Sequence, residues 1–395
     1  MNELNFQQEI ASLCLQIITP VYIGDGSKLT AKDYFYSSEE QKIYFFDMHK
    51  WHQFIYQHRL FAAYEKYISN FRDKRNLLTW LEEHNFILED VKDIITGESL
   101  ATVNIINLKK KNTLNDVCKH IHHVDGSLYI PGSSIKGAFR SAILYALLKR
   151  NNILKNKYWE KLSLMIEELY SSYGKSDKKE IFQQITSTAN EIEIRLLNEL
   201  NLDLEKRSNA VNCSLKGLQV SDTLSSENIN VAILQKIDAG FNKFGEAGFH
   251  PLPVFRECML PGAKLIFEVK LDKALMATVG INSIDDLLSI TQEYFDEIIR
   301  ILKDAFGKEH PVPFCGIDMA NIFLGGNVGF HSKTLLALLA PDDNTARNTI
   351  KVLLNKEFPK HKHILYDKFT SPRILKCTRY NGELLMMGLA EVRRI

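Results

Sequence analysis

A glycine-rich loop followed by two regularly spaced cations is the feature of this sequence best suited to bind an anion. The loop runs Ile130-Pro-Gly-Ser-Ser-Ile-Lys-Gly-Ala-Phe-Arg140. Glycine allows a ligand to approach the backbone closely, and a serine here can cap the helix that follows. Cations in the first turns of a helix oppose its dipole unless an anion is present. The candidate phosphate ligands are Gly132, Ser133, Ser134, Lys136, Gly137 and Arg140.

This loop has two interpretations. Lys136 and Arg140 are four residues apart and share a helix face, so backbone amides, hydroxyls and cations converge as in a phosphate site. The alternative is a tight turn whose cations are simply solvated, since glycine loops are common. The Walker A order is absent.

A second glycine cluster, Gly325-Gly-Asn-Val-Gly329, precedes His331 and Lys333. It superficially suggests a P-loop, but Ser332 stands where the Walker A motif needs glycine, so a nucleotide-dependent switch is the least favoured interpretation. The cluster is predicted to bind phosphate and to open a helix that Pro341 ends. A turn with a core-packing helix is the alternative. Its candidate ligands are Gly325, Gly326, Asn327, Gly329, His331 and Lys333.

Hydrophobic periodicity places both loops between strands and helices. Predicted strands cover about residues 12–18, 34–36, 43–46, 128–130, 215–220, 231–237, 264–271 and 383–395. Predicted helical segments cover about residues 48–86, 134–150, 155–207 and 284–306. Because strands and helices mix without regular β-α-β spacing, the sequence favours an α+β fold.

Composition excludes several classes of protein. The chain has 395 residues, which favours two domains, and its apolar runs are too short to span a bilayer. The N-terminus lacks the pattern of a signal peptide, so we expect a cytoplasmic protein. The six cysteines form no Cys-x-x-Cys pair, which argues against a structural zinc site or a disulfide framework. With 49 basic and 48 acidic residues, a nucleic-acid partner requires a local basic patch.

Five segments in order resemble the CRISPR RAMP superfamily over about residues 12–334. The first, Ile18 to Tyr36, is similar to the opening of the fifth Csm protein family, the type III-A subunit that caps the 3′ end of crRNA. The others are the first glycine loop, Gln219-Val-Ser-Asp222, Gln235-Lys-Ile-Asp238 with Phe255-Arg-Glu-Cys258, and Leu324-Gly-Gly-Asn-Val-Gly-Phe-His-Ser-Lys-Thr334.

The resemblance implies two ferredoxin-like (RRM-type) RAMP domains with helical insertions. We assign them to residues 1–212, with insertions at about 48–100 and 151–210, and to residues 213–395. It also implies binding to the crRNA backbone, docking on a filament of related RAMP subunits, and support of crRNA 3′ maturation with host trimming nucleases in antiviral defence. Beside the two glycine loops, Lys28 and Arg256 are predicted RNA ligands. No cofactor, metal or membrane partner is expected, and the protein is expected not to be an enzyme.

A RAMP endoribonuclease is the alternative, and Asp33 is its main candidate residue. It lies about where cleaving RAMP subunits place a catalytic aspartate, and one carboxylate could assist metal-dependent RNA cleavage. The neighbouring Tyr34 and Tyr36 instead fit the capping subunits, in which this aspartate does not cleave. A role in a turn or at a strand start is the other interpretation.

Histidines are the second catalytic alternative. His120 and His122 share one face of an extended segment, and His361 and His363 repeat the spacing. Two histidines can begin a metal site but do not complete one, and surface or strand histidines are the preferred interpretation. For Arg256, an ion pair that fixes the chain is an alternative to RNA binding.

Overall fold

The computed structural model describes residues 8–395 except 38, 74, 103–113, 115, 173–174, 226–228, 308–313 and 327. In these residues, helices and strands alternate irregularly along the chain, and the strands form two sheets. The prediction of an α+β fold is therefore confirmed. The strands are β1 Gln8–Ile17, β2 Gly24–Leu29, β3 Phe35–Ser37, β4 Lys42–Phe46, β5 Ile95–Thr102, β6 Val117–His120, β7 Leu218–Val220, β8 Val231–Phe241, β9 Ala247–Met259, β10 Lys264–Asp272, β11 Ile322–Phe323, β12 Ile374–Tyr380, β13 Glu383–Met386 and β14 Leu389–Arg394.

The helices vary from one turn to six. They are α1 Met48–Gln57, α2 Phe61–Ser69, α3 Leu77–Glu82, α4 Gly132–Arg150, α5 Asn152–Ser171, α6 Lys175–Leu197, α7 Lys273–Ala277, α8 Ile284–Phe306, α9 Leu336–Leu339, α10 Asp343–Glu357 and α11 His363–Tyr366. Short 3₁₀ helices cover Leu88–Ile94, Ala210–Asn212, Ser214–Gly217, Ile317–Met319, His331–Lys333 and Pro359–His361. Of the described helices, none combines the length and the apolar character needed to cross a bilayer.

The first sheet has the strand order β11-β14-β1-β10-β7, and its described pairs are antiparallel. In chain order β1, α4, β7, β10, α8 and β14 form a β-α-β-β-α-β unit, which is ferredoxin-like. Alternation along β1 buries Leu13, Leu15 and Ile17. Helices α4 and α8 pack against each other and contribute to the same core, which Phe139 and Phe295 share.

The second sheet has the order β2-β6-β9-β8-β5-β4-β3, with β12 paired to β8 and β13 paired to β12. Strand β8 runs antiparallel to β9 and also antiparallel to β12. Strand β8 therefore holds both β9 and β12 in place.

The predicted boundary at residue 212 does not separate these sheets. Strands β1 and β2 come before it and β10 and β9 after it, yet β1 pairs with β10, and β9 joins β2 through β6 in one sheet. The division into residues 1–212 and 213–395 stays a prediction. The predicted insertions contain α1 to α3, packed around Trp51 and Trp80, and α5 with α6.

Several predicted elements differ from the structure. Residues 128–130 form only an isolated bridge, between Leu128 and His122. The predicted helical segment over 48–86 divides into three helices, because the chain turns at Arg59 (φ 57°) and again after α2. After the second glycine cluster come only a 3₁₀ turn and the four-residue α9. The 13-residue β9 was not predicted as a strand, since Pro251 and Pro253 interrupt the apolar pattern.

Candidate nucleic-acid interface

A cleft of about 370 Å³ lies between the second glycine cluster and the second sheet. Four cationic side chains line it, and we call it the basic cleft. Its lining residues are Lys236, Arg256, Lys333 and Lys376, together with Gly326, Gly329, Phe330 and Thr334. Such an excess of cations in a concave site favours a polyanionic ligand.

Strand register places three of these cations on one face. In β8, Leu234 lies opposite Arg256 of β9, and Asp238 lies opposite Lys376 of β12. Directly opposed residues share a face, and so do residues two apart on a strand. Lys236, between Leu234 and Asp238, therefore projects to the same side as Arg256 and Lys376.

Arg256 carries hydrogen-bond donors that the protein leaves unused. Its Cζ lies 4.9 Å from the centre of the Tyr22 ring. Its Nε and Nη1 atoms are buried without a hydrogen-bond partner in the described structure. No carboxylate among the described residues forms an ion pair with it, and its sequence neighbour Glu257 accepts from the His120 amide at 3.0 Å. A half-buried guanidinium with two unpaired donors favours a bound phosphate, which a guanidinium can hold with two hydrogen bonds.

The cations of the basic cleft repel one another. Burial lowers the pKa of Lys236, and the nearby charges of Lys376 and Arg256 lower it further. Asp238 offsets part of this repulsion, with its Oδ1 2.8 Å from Lys376 Nζ and 4.0 Å from Lys236 Nζ. Asp238 contacts only two of the four cations, so a bound anion would stabilise the cleft further.

The second glycine cluster is anchored to the segment after Pro20. Gly325 has φ 87°, and a Cβ there would lie 2.3 Å from the Tyr22 carbonyl oxygen. The Gly326 amide donates to that same oxygen at 3.1 Å. Glycine is therefore required at 325 for conformation and for close approach. Asn327 lies outside the described residues.

Two predicted ligands of this cluster have opposite surroundings. Lys333 is exposed and lines the basic cleft. His331 is 6% exposed, its Nε2 lies 3.3 Å from Thr370 Oγ1, and burial lowers its pKa to about 4. A neutral, buried imidazole in this position is poorly placed to bind a phosphate.

The cations of the first glycine loop are engaged inside the chain. Lys136 Nζ donates to the Leu218 carbonyl at 2.6 Å, and Arg140 pairs with Glu193. Burial lowers the pKa of Lys136. These contacts join α4 to β7 and α6, so they support the fold.

The predicted serine cap of this loop is wrong. Helix α4 begins at Gly132, and the Gly132 amide donates to Asp222 Oδ1 at 2.8 Å. Ser133 and Ser134 lie inside the first turn, whose N-cap is Pro131. A Cβ at 132 would lie 2.2 Å from the Val220 carbonyl oxygen, which explains this glycine by packing against β7. Ser133 and Gly137 are exposed.

Lys28 is exposed on β2 and does not line the basic cleft. Asp33 closes a turn, since its Oδ2 accepts from the amide and the hydroxyl of Thr30 at 2.7 and 2.8 Å. In the described part of the chain, no group of three or more His, Cys, Asp or Glu side chains is placed to hold a metal ion. The surroundings of Asp33 favour the turn interpretation.

The histidine pairs have separate carboxylate partners. His122 Nε2 lies 3.5 Å from Glu257 Oε1, whereas His120 is fully buried and burial lowers its pKa. His363 Nδ1 lies 2.8 Å from the buried Asp367. The His361 and His363 rings stack with centres 5.7 Å apart. These contacts favour structural roles.

Sequence reasoning missed Lys236 and Lys376. Lys236 lies inside the quoted segment Gln235-Lys-Ile-Asp238, whose alternation could have placed it beside Asp238 on one strand face. Lys376 is distant in sequence and meets the cleft only through the β8–β12 pairing.

Comparison with known proteins agrees with this fold. The RAMP superfamily model matches residues 14–310. A Mycobacterium tuberculosis (strain CDC 1551 / Oshkosh) protein called CRISPR system Cms protein Csm5 is 25% identical over 400 residues, covering 96% of each chain. The predicted RAMP fold is confirmed.

Two solved structures share the fold. One is a chain in the cryo-EM structure of a Csm–crRNA–target RNA ternary complex of a type III-A CRISPR-Cas system, with TM-score 0.64 and 17% identity over 97% of this chain and 100% of that chain. The other is the crystal structure of T. onnurineus Csm5, with TM-score 0.58 and 16% identity over 96% of this chain and 99% of that chain. Because the family model matches more than half of its residues, the chain belongs to the RAMP superfamily.

Proposed function

We propose that this protein is a crRNA-binding structural subunit of a type III-A Csm effector complex. Its Csm5-named relative and the matching chain of a Csm–crRNA–target RNA complex support this assignment. In the proposal it caps the crRNA 3′ end and docks on the filament of related RAMP subunits.

One observation carries the RNA-binding part of the proposal. Arg256, whose Nε and Nη1 have no partner in the described structure, lines a cleft with three lysines and one glycine loop. Guanidinium, ammonium and backbone groups together are the usual ligands of a nucleic-acid backbone. RNA phosphates thus supply the negative charge that balances the cations of the cleft.

The other predicted RNA ligands fall into two groups, those exposed to RNA and those engaged within the fold. Ser133 and Gly137 are exposed and open to a passing backbone, as is Lys28 on β2. Gly132, Lys136, Arg140 and His331 act through the fold, because their groups are buried or bonded within the chain, whereas Ser134 is half-buried in the first turn of α4.

We further propose that the subunit does not cleave RNA itself and that host nucleases trim the crRNA in the cytoplasm. The Thr30 contacts of Asp33 support a role in a turn. Incubation of the pure protein with labelled RNA in Mg²⁺ or EDTA tests this point. Metal-dependent cleavage that Asp33→Ala abolishes would contradict it.

Co-purification tests the assembly. Tagged protein, co-expressed with the other Csm subunits and a CRISPR array, should carry both the subunits and crRNA. Deletion of the gene should change the crRNA 3′ ends, and re-expression should restore them. Failure to co-purify with either the subunits or crRNA would contradict the proposal.

A further inference from the structure

A second cavity, of about 260 Å³, lies between α8, α10 and residues 369–371. We call it the α8–α10 cavity. Its walls are largely apolar, formed by Ile301, Ala305, Ala337, Ala346, Ile350 and Phe369. Its polar lining includes His331, Asn344 and Arg347. The volume suits a small ring system rather than a peptide.

Two side chains that line this cavity hold unused hydrogen-bonding atoms. His331, 6% exposed, has a buried Nδ1 with no partner in the described structure. Arg347 Nε is also buried without a described partner, although its Nη1 donates to the Phe369 carbonyl at 3.2 Å. Buried polar atoms are rarely left unpaired, so these two indicate a missing ligand.

The charges around the cavity argue against an anion. Asp304 and Asp343 line it, and both pair with Arg300, at 3.0 and 2.8 Å. The lining itself holds one cation, Arg347, against these two carboxylates. With Arg300 counted, two cations balance two carboxylates, so the cavity gives a phosphate no net attraction, and a purely apolar ligand would leave Nδ1 and Nε unpaired. A neutral planar heterocycle can pack its apolar faces against the apolar walls and hydrogen-bond through its polar edge to His331 Nδ1 and Arg347 Nε.

One chain segment lines both this cavity and the basic cleft. Phe330, Lys333 and Thr334 line the cleft, whereas His331 and Ala337 line the cavity. A strand of RNA whose phosphates occupy the cleft therefore passes within a few residues of the cavity.

We propose that the α8–α10 cavity binds one unpaired nucleobase. The base packs against Phe369 and hydrogen-bonds to Arg347 Nε and His331 Nδ1. The inference rests on the proposed function where the base belongs to bound RNA, and a free nucleoside offers the same chemistry. The cavity thus adds base recognition to the backbone contacts of the cleft.

The test combines abasic RNA with a variant that fills the cavity. Single-stranded RNAs, each with one abasic position, are titrated against the full chain, and adenosine and uridine are titrated separately by calorimetry. Ala305→Leu fills the cavity from α8, and Ala62→Leu, at an exposed position on α2, is the matched control. Arg347→Lys removes the Nε donor without filling the space. Thermal unfolding verifies that each variant is folded.

We expect one abasic position to weaken binding to the wild type and to Ala62→Leu about tenfold. Ala305→Leu and Arg347→Lys should lose this sensitivity. If RNA binds but no position is sensitive, or if the sensitivity survives Ala305→Leu, the inference is overturned while the proposed function stands. If the wild type binds no RNA, the proposed function fails. In that case, nucleoside binding that Ala305→Leu abolishes would still support base binding in the cavity. If the wild type binds no nucleoside either, the inference of base binding is overturned too.

Discussion

The Arg256 guanidinium lies over the Tyr22 ring, with Cζ 4.9 Å from the ring centre. The backbone carbonyl of Tyr22 also accepts the Gly326 amide at 3.1 Å. Tyr22 therefore links the main cation of β9 to the second glycine cluster. Tyr22 thus contacts a residue of each wall of the basic cleft.

Tyr22→Leu should weaken RNA binding by about 2- to 30-fold. The substitution keeps the backbone contact with Gly326 but removes a cation–π contact worth about 0.5–2 kcal/mol. Tyr22→Phe keeps the ring and is the matched control. Fluorescence anisotropy with a labelled single-stranded RNA measures the difference. Equal affinities for the two variants would show that the ring does not position Arg256.

Two glycines of α4 should respond in opposite directions to alanine. Gly132→Ala should destabilise the protein by several kcal/mol, because the new Cβ would lie 2.2 Å from the Val220 carbonyl oxygen. Gly137→Ala meets no atom within 4 Å and should stabilise α4 by about 1 kcal/mol. Urea denaturation measures both changes. A stable Gly132→Ala protein would contradict the packing explanation of this glycine.

Burial of His331 should make stability depend on pH. Its pKa falls from 6.5 to about 4, so between these values the unfolded chain binds a proton that the folded chain does not. The free energy of unfolding should therefore fall as the pH is lowered from about 6.5 to 4, by up to roughly 3 kcal/mol from this residue. His331→Gln should flatten that dependence, whereas His49→Gln, at an exposed position, should not. Parallel pH profiles for wild type and His331→Gln would refute the assignment.

The carboxylate of Asp367 should be a strong determinant of stability. Burial alone would raise its pKa, but hydrogen bonds from His363, Ser371 and Arg373 hold the pKa below its usual range. Asp367→Ala leaves Arg373, 2.6 Å away in the wild type and only 13% exposed at its side chain, without this partner and should cost about 3 kcal/mol.

Ser371→Ala is the control for Asp367. It removes one hydrogen bond to the same carboxylate, at 2.7 Å, and should cost only about 1 kcal/mol. Chemical denaturation at neutral pH compares the two. Similar losses for both variants would mean that the ion pair contributes little.

The sequence predicted the long amphipathic elements well. Helix α8 was predicted over about 284–306 and occupies Ile284–Phe306, because its apolar stripe is continuous and Ser283 caps it. β10 and β1 were found by their alternation. By contrast, β9 contains Gly248, Pro251 and Pro253, and its extended form depends on pairing with β8.

The site was predicted only in part, since its geometry depends on long-range pairing. Arg256, Gly326, Gly329 and Lys333 were identified and do line one cleft. Lys376 joins them through a strand pair that no local pattern reveals. Lys136 and Arg140 have the spacing of a phosphate site, but Leu218 and Glu193, distant in sequence, engage them.

The most direct test of the basic cleft is the salt dependence of RNA binding by Arg256→Ala. Single-stranded RNA is titrated at several salt concentrations against wild type, Arg256→Ala, Lys376→Ala and the control Arg72→Ala, which lies exposed after α2. Loss of a charge-assisted contact worth about 1.5–3 kcal/mol should weaken Arg256→Ala by about 10- to 100-fold. Its slope of log affinity against log salt should flatten by about one unit. An Arg256→Ala protein that is folded and binds RNA with the affinity and salt slope of the wild type would contradict the account.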